Sequence, residues 1–529
     1  MRKSLLISLF VFLCVSAQAT ERVFIATDRG AYISGDRVWC SLFCVDDDGS
    51  LSKESAVAYI ELISDGGTAV EEKAALLGGR GCTSFTLPTS LPTGNYRLVA
   101  YTSYGGVSIS GSKILSIYNT FTTARVKDGV RIDGKYDFRE EPEQSHGISI
   151  NTPVVVGAGR DFMVQFQTEE PATLAISVFL DDGLAQQEPA QLSAFLASDE
   201  HFSQQGPLEY DGEIIRASVK GAPVGTVAML SSSGSSSDTY VSTVRSDGMV
   251  IFPTGNIFGP RELVCELFCD SDDCYMVFDS PFRNPSAGEL PQLVLCPSQA
   301  EPLISRKSRL RLNVKSDTLY TFLPKREDLL FETVDWEVYH LDDYTRFPTV
   351  KEVVVEILHN VIIARSHGKP VLQVLAKDGT NSKLSVMDNV LAMLDGVIIS
   401  DLNMLLDFDA MLIQDVEVCT SGFAIGHTPY SGAVNFKTSK NYVTTLDFPS
   451  RTRVMDYRGV GFPLAYFGER PSGGTDSREL LYWSPVAETD GNMGISIAAP
   501  QYQGRFCIYA EGLTQGGKAV KAVKYINIR

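Results

Sequence analysis

Thr93-Gly94-Asn95-Tyr96-Arg97-Leu98-Val99-Ala100-Tyr101 is the stretch from which the fold is read. Thr93-Gly94 supplies a turn, and the large and branched residues that follow make a short run suited to a pleated, packed surface. Upstream, Ala58-Tyr59-Ile60-Glu61-Leu62 repeats this texture and is closed by the turn signal Asp65-Gly66-Gly67. Further along, a second alternating set runs from Val154 through Phe162-Met163-Val164-Gln165-Phe166 to Leu174-Ala175-Ile176-Ser177-Val178, and a third from Gly212-Glu213-Ile214-Ile215-Arg216 to Val277-Phe278. Turn residues punctuate these runs at intervals of about 8–12 residues, which predicts a mainly β chain built of tandem sandwiches.

Composition agrees with several packed domains. The chain has 529 residues, 44% of them apolar and 21% charged, and at about 100–200 residues per domain that length predicts three to five units. With 46 Lys+Arg against 64 Asp+Glu, the formal charge is -18. The basic footprint that neutralises phosphates is missing, so nucleic acid is not an expected partner.

The first residues read as an address. Arg2 and Lys3 precede the apolar run Leu5 to Ala17, and Ala17-Gln18-Ala19 fits the small-x-small pattern of signal peptidase. A cleaved signal peptide at 1–19, a mature start at Thr20 and a periplasmic or outer-membrane-associated location are expected. Phe12 and Leu13 stand before Cys14 where a lipobox needs small residues, so plain export is favoured over lipid anchoring. No later apolar run reaches the roughly 18 residues of a membrane-spanning helix.

The cysteines leave alternatives open. In strands, Cys40 and Cys44, or Cys265 and Cys269, would sit about 13 Å apart, beyond disulfide reach. Cys269 and Cys274 flank the acidic turn 270–273, where they either pair across a hairpin or remain free thiols acting as small hydrophobes. A zinc site from Cys265, Cys269 and Cys274 lacks the matching second half that such sites use.

Catalytic fingerprints are missing. The six histidines, at 146, 201, 340, 359, 367 and 427, form no His-Glu-x-x-His, and neither Gly-x-Ser-x-Gly nor a P-loop is present. His427 and Ser431 sit in a glycine-rich turn and are read as structural. The acidic runs Asp46 to Gly49 and Asp270 to Asp273 lack the alternating ligands of a calcium loop. No catalytic residue, cofactor or metal is expected, and the protein is read as a non-enzyme.

Three resemblances refine the picture. Asp28-Arg29-x-x-Tyr32-x-x-Gly35-Asp36-x-Val38, then Tyr59-Ile60-Glu61-Leu62, then Leu91-Pro92-Thr93-Gly94-Asn95-Tyr96 resembles the macroglobulin-type sandwich of the α2-macroglobulin family. The end of the chain, from Leu481-Tyr482-Trp483 to Glu511-Gly512-Leu513-Thr514, looks similar. Asp211 to Arg216 with Ser246 to Phe252 resembles carboxypeptidase-regulatory-like sandwiches. The thioester motif Cys-Gly-Glu-Gln of that macroglobulin family is not in this sequence, so covalent trapping is not expected.

The third resemblance lies in Leu394-Asp395-Gly396-Val397-Ile398-Ile399, Ile413-Gln414-Asp415-Val416-Glu417-Val418, Gly422 to Gly426 and Gly432-Ala433-Val434-Asn435-Phe436-Lys437-Thr438. This ordered set resembles the plug domain of TonB-dependent receptors, with Ile398 and Gln414 where that family has Pro and Glu. Too few residues follow for the strands of a receptor barrel.

The expected organisation is a signal peptide at 1–19, a macroglobulin-type β-sandwich at 20–126, a linker and second β-sandwich at 127–206, and a carboxypeptidase-regulatory-like sandwich at 207–300. A linker at 301–338, an α+β plug-like domain at 339–440 and a C-terminal β-sandwich at 441–529 follow. A helix is predicted over Val350 to Ile363 and a hairpin loop over Ser231 to Ser237. A plug without a barrel leaves faces to be covered, which makes Asp395, Gly396, Val397, Ile399, Phe423 and Tyr430 the expected contact surface for an outer-membrane or periplasmic protein. The run Tyr339-His340-Leu341-Asp342-Asp343-Tyr344, before Arg346-Phe347-Pro348, reads most simply as an entry turn, and its Tyr and Asp residues, expected to be exposed, are the alternative: a second candidate contact surface. The resulting expectation is a binding or assembly accessory of an outer-membrane transport or biogenesis complex; the alternative is a non-covalent, macroglobulin-like factor that obstructs proteases.

Overall fold

Alternation at period two sets which face of a strand is buried, and in the first sandwich both faces are. The computed structural model describes residues 21–121, 130–133, 142–184, 187, 190–234, 238–269, 271, 273–312, 318–323, 334–377, 384–425, 428–471 and 476–529. The expected signal peptide lies outside them. Strands Arg22–Thr27, Arg37–Val45 and Arg80–Thr86 form one layer; Val57–Ser64, Gly94–Tyr101, Lys113–Tyr118 and Ala31–Ile33 form the other. The long strand Gly67–Leu77 joins the layers, pairing with Val57–Ser64 along most of its length and with Arg80 and Gly81 at its end. Val23, Ile25, Leu42, Ile60 and Leu98 fill the core. On the outer side of the first layer, Phe24, Trp39 and Phe43 pack against Phe195, Trp483 and Leu513, which is why Arg37–Val45 is apolar on both faces.

The loop Asp28 to Asp36 shows what the sequence motif does. The Tyr32 hydroxyl (2.7 Å) and the Trp39 amide (3.0 Å) both donate to Asp28 Oδ1, while Asp36 Oδ2 accepts from the Ile33 amide at 2.9 Å. Arg29 then reaches Asp36 at 3.2 Å and Glu479 at 3.5 Å.

The segments expected as separate sandwiches at 127–206 and 441–529 share one. Ala172–Leu180 lies between Leu480–Thr489 and Gly504–Thr514, with Ala519–Ile528 outside the latter. The opposing layer consists of Ile148–Asn151, Asp161–Thr168 and Asn492–Ala498, and one core contains Val164, Ile176, Ile508 and Ile526. Few strands lie between 148 and 180, and their edges are completed by the end of the chain.

Thr452–Arg458 likewise leaves its expected unit to pair with Pro260–Leu267 over seven residues of register, joining the middle sandwich. That sandwich has Ile214–Lys220, Met249–Pro253 and Tyr275–Phe278 in one layer and Val227–Ser232, Thr239–Thr243 and Pro260–Leu267 in the other. Ser231 and Ser232 belong to a strand and are buried, so the serine run is not wholly a loop. The expected linkers are also partly structured. Val130–Ile132 pairs with Leu293–Leu295, Thr318–Tyr320 pairs with Leu464–Tyr466, and helix Ala300–Leu312 docks through Arg306, which donates to the Ala31 carbonyl at 2.7 Å.

Between Thr318–Tyr320 and Thr452–Arg458 lies the α+β unit. Its five-stranded sheet runs in the order Glu337–His340, Ile413–Cys419, Gly432–Thr438, Val390–Leu394, Val397–Ile398. Helices Val350–Glu356 and Leu402–Leu406 cover one face around Val353, Leu405, Val416 and Phe436. The first helix begins where expected, with Thr349 and Glu352 forming a reciprocal cap, but ends at Glu356. Val361–Ser366 instead pairs with Lys369–Lys377 through His367-Gly368, a two-residue turn with both residues at positive φ. The branched Val361, Ile362 and Ile363 serve a strand, and the hairpin outcompetes helix continuation.

None of the nine described cysteines forms a disulfide, and Cys269 and Cys274 lie side by side. Among the described residues, no helix is long and apolar enough to cross a membrane, and no cluster of three or more side chains could hold a metal ion.

Candidate functional site

Asp395-Gly396 links Val390–Leu394 to Val397–Ile398 as a two-residue turn, with φ of 51° and 79° and Leu394 paired to Val397. Its position inside the sheet gives the aspartate a second task. Asp395 Oδ1 accepts from the Thr438 amide at 2.6 Å, and Oδ2 accepts from the Thr438 hydroxyl at 2.8 Å and the Val443 amide at 3.3 Å. The Gly396 amide donates to Asn435 Oδ1 at 3.0 Å, and Asn435 and Lys437 both donate to Glu417. The separated phrases of the sequence motif therefore meet around one buried turn.

That meeting point is an internal joint. Asp395, Gly396, Val397 and Ile399 are buried; Val397 and Ile399 face the helical layer. Phe423 and Tyr430 stack at 5.7 Å on the hairpin Phe423–Ile425/Thr428–Tyr430 and pack, with Leu391, Met393 and Ile398, against Met229, Val227 and Phe268 of the middle sandwich. Burial pushes the Tyr430 hydroxyl's pKa up. The expected contact surface is thus largely covered by the chain itself, with Phe423 and Tyr430 half-buried. His427 lies outside the described residues; the Ser431 amide donates to the Asn389 carbonyl at 3.1 Å, a turn contact.

The opposite side of this unit is open. Tyr344, Val355 and Met411 are 42%, 66% and 55% exposed, and Arg346 ties the Tyr344 turn to the neighbouring loop by donating to the carbonyls of Ala410, Met411 and Ile413. His340 is ion-paired to Asp415 at 2.7 Å on the rim, which raises the imidazole's pKa.

A second site, with no local signal in the sequence, lies where the first and middle sandwiches meet. A cavity of about 230 Å³ is lined by Tyr59 and Lys73 from the first, Glu209 and Glu213 from the connecting segment, and Phe282 and Tyr457. Lys73 and Glu213 are buried and paired at 2.6 Å. The Tyr457 hydroxyl also donates to Glu213, and Lys73 Nζ lies 4.3 Å from the Tyr457 ring. Glu209 accepts from the Ile214 amide and the Tyr59 hydroxyl, each at 3.0 Å, and makes no ion pair among the described residues. Burial pushes its carboxyl up to about 7, against the pull of those two donors; nearby Glu213 raises it and Lys73 lowers it. Tyr59 and Tyr457 are raised well above the usual phenol range by burial and by the adjoining carboxylates.

A family model described as the MG2 domain matches residues 22–114, the span of the first sandwich. Residues 22–114 carry a macroglobulin-type domain. Among solved structures, the chain is similar to a Salmonella alpha-2-macroglobulin at 10% identity and TM-score 0.17, covering 96% of this chain and 23% of that one. It is also similar to the native Escherichia coli alpha-2-macroglobulin at 9% identity and TM-score 0.25, covering 97% and 40%. The chain thus spans less than half the length of either. No curated protein matches it.

Proposed function

We propose that this is an exported, non-catalytic envelope protein that acts by binding, as an accessory to an outer-membrane transport or biogenesis complex. The unit at 339–440 is its TonB-receptor plug-like contact module, and the partner is a protein of the periplasm or outer membrane. One observation carries the reading: the unit's sheet is fastened to the middle sandwich on one side, while the other side holds Tyr344, Val355 and Met411 exposed on a turn, a helix and a loop. Exposed apolar side chains are what a partner covers.

Point variants test this better than deletion, because removing the unit would strip the cover from Met229 and Phe268. Tyr344→Asp combined with Met411→Asp should abolish co-purification of the partner from detergent-solubilised envelopes while leaving thermal unfolding unchanged. A variant that folds normally and retains every partner sinks the proposal.

The alternative, a non-covalent factor that obstructs proteases, draws on the macroglobulin-type domain. It requires a protease to remain associated after cutting the chain, which size-exclusion chromatography of a protease mixture reads directly.

A further inference from the structure

The cavity between the first and middle sandwiches has the chemistry of a cation seat. Its buried interior holds two carboxylates, Glu209 and Glu213, and one cation, Lys73. Lys73 is committed to Glu213 at 2.6 Å and also donates to the Tyr457 hydroxyl at 3.2 Å. Glu209 has hydrogen-bond donors but makes no ion pair among the described residues, Lys73 and Arg283 acting on it only from further away, and a buried carboxylate in that state is expensive unless it gains a proton or a cation.

The walls suit the second solution. Tyr59 and Phe282 meet edge to face at 5.7 Å, and Lys73 Nζ stands 4.3 Å from the Tyr457 ring and 5.9 Å from that of Phe282. One ammonium group is therefore already held here by a carboxylate and aromatic faces, the combination that recognises such cations.

Space and access fit a slender ligand. At about 230 Å³ the cavity falls below the range of drug-sized pockets and accommodates an alkyl chain ending in one polar group. Its lining reaches the surface at Asp279, Ser280 and Arg458, all exposed. The rim cations have partners of their own: Arg216 faces Asp279 at 3.8 Å, and Arg458 donates to the Glu71 carbonyl at 2.6 Å. They leave the Glu209 position unanswered.

We propose that this cavity binds a primary ammonium group, the end of a lysine side chain or of a small alkylamine, seated against Glu209 and walled by Tyr59, Phe282 and Tyr457. The Ile214 amide and Tyr59 hydroxyl hold the carboxylate in place, and the ligand's alkyl stem lies along Ile215 and Met455, which also line the cavity.

Calorimetric titration of the full chain with n-butylammonium chloride, the tripeptide acetyl-Gly-Lys-Gly-amide and n-butanol tests this. Saturable binding of either amine but not of butanol is the expected result, and the tighter of the two identifies the source of the group. Because the ligand displaces the proton on Glu209, whose charged and titratable neighbours are Lys73, Glu213, Arg283, Tyr59 and Tyr457, affinity should rise about tenfold from about pH 6 to about pH 8. Close to one proton should be released per amine bound at about pH 6 in the wild-type chain, a readout that needs no variant. Glu209→Gln should weaken amine binding at least about tenfold, the loss of a charge-assisted contact. Equal binding of butanol, binding without proton release at the lower pH, unchanged affinity in a folded Glu209→Gln variant, or no saturable binding of either amine would overturn the proposal.

Discussion

Two of the buried charged clusters through which the first sandwich meets its neighbours are built differently. Around Arg29, every acid has a guanidinium close by: Asp28 at 3.6 Å, Asp36 at 3.2 Å and Glu479 at 3.5 Å from Arg29, with Asp182 paired to Arg306. Around Lys73, Glu213 is paired and Glu209 is not, and a cavity remains. The first cluster secures three segments, the Asp28 loop, helix Ala300–Leu312 and the strand ending of the second sandwich. The second holds a joint with room in it. Charge matching accompanies permanent packing in one region, while incomplete matching accompanies space in the other.

The largest effect should come from breaking the matched cluster. Arg29→Met leaves Asp36 and Glu479 with fewer counter-charges inside the protein and should cost about 3–5 kcal/mol, measured by urea denaturation. A loss under about 1 kcal/mol would mean that water reaches this cluster and that the contrast with the cavity is false.

Lys73→Met should cost less, about 2 kcal/mol, because Glu213 retains the Tyr457 hydroxyl as a hydrogen-bond donor. Equal losses in the two variants would erase the distinction between matched and unmatched joints.

The smallest effect is a pH dependence to which the cavity contributes. Glu209 in the cavity and Glu72 at a separate groove are both pushed up to about 7 by burial, so the folded chain binds more protons than the unfolded chain between their unfolded value near 4.5 and about 7. Their contribution is fully present below that window and is lost as pH rises through it. Thermal unfolding midpoints should therefore fall from about pH 5 to about pH 8, and Glu209→Gln should flatten part of the slope; an unchanged slope would show that Glu209 is not the titrating group.

Much of the α+β unit was legible for a local reason. Asp395-Gly396 between two apolar runs is by itself a hairpin signal, but its residues were expected to face a partner. They are buried because the same aspartate closes a hydrogen-bond set with Thr438 and Val443, and because the middle sandwich covers the adjoining sheet face. Exposure depends on what lies across the sheet, which an isolated run of residues does not encode.

By itself the sequence determined the strand texture, the Asp28 to Asp36 loop, the helix start at Val350 and the turn at Asp395. Each rests on contacts between residues near one another in the chain or on the period of side-chain burial. Only the tertiary structure decided that 148–180 completes its sandwich with 480–528, that Thr452–Arg458 joins Pro260–Leu267, and that Tyr59, Lys73, Glu209 and Tyr457 surround one cavity. Period-two alternation specifies a strand's faces, whereas its edges carry the same backbone donors and acceptors whatever the residues. The partner at each edge, and the charges brought together behind it, follow from how all the faces are buried at once.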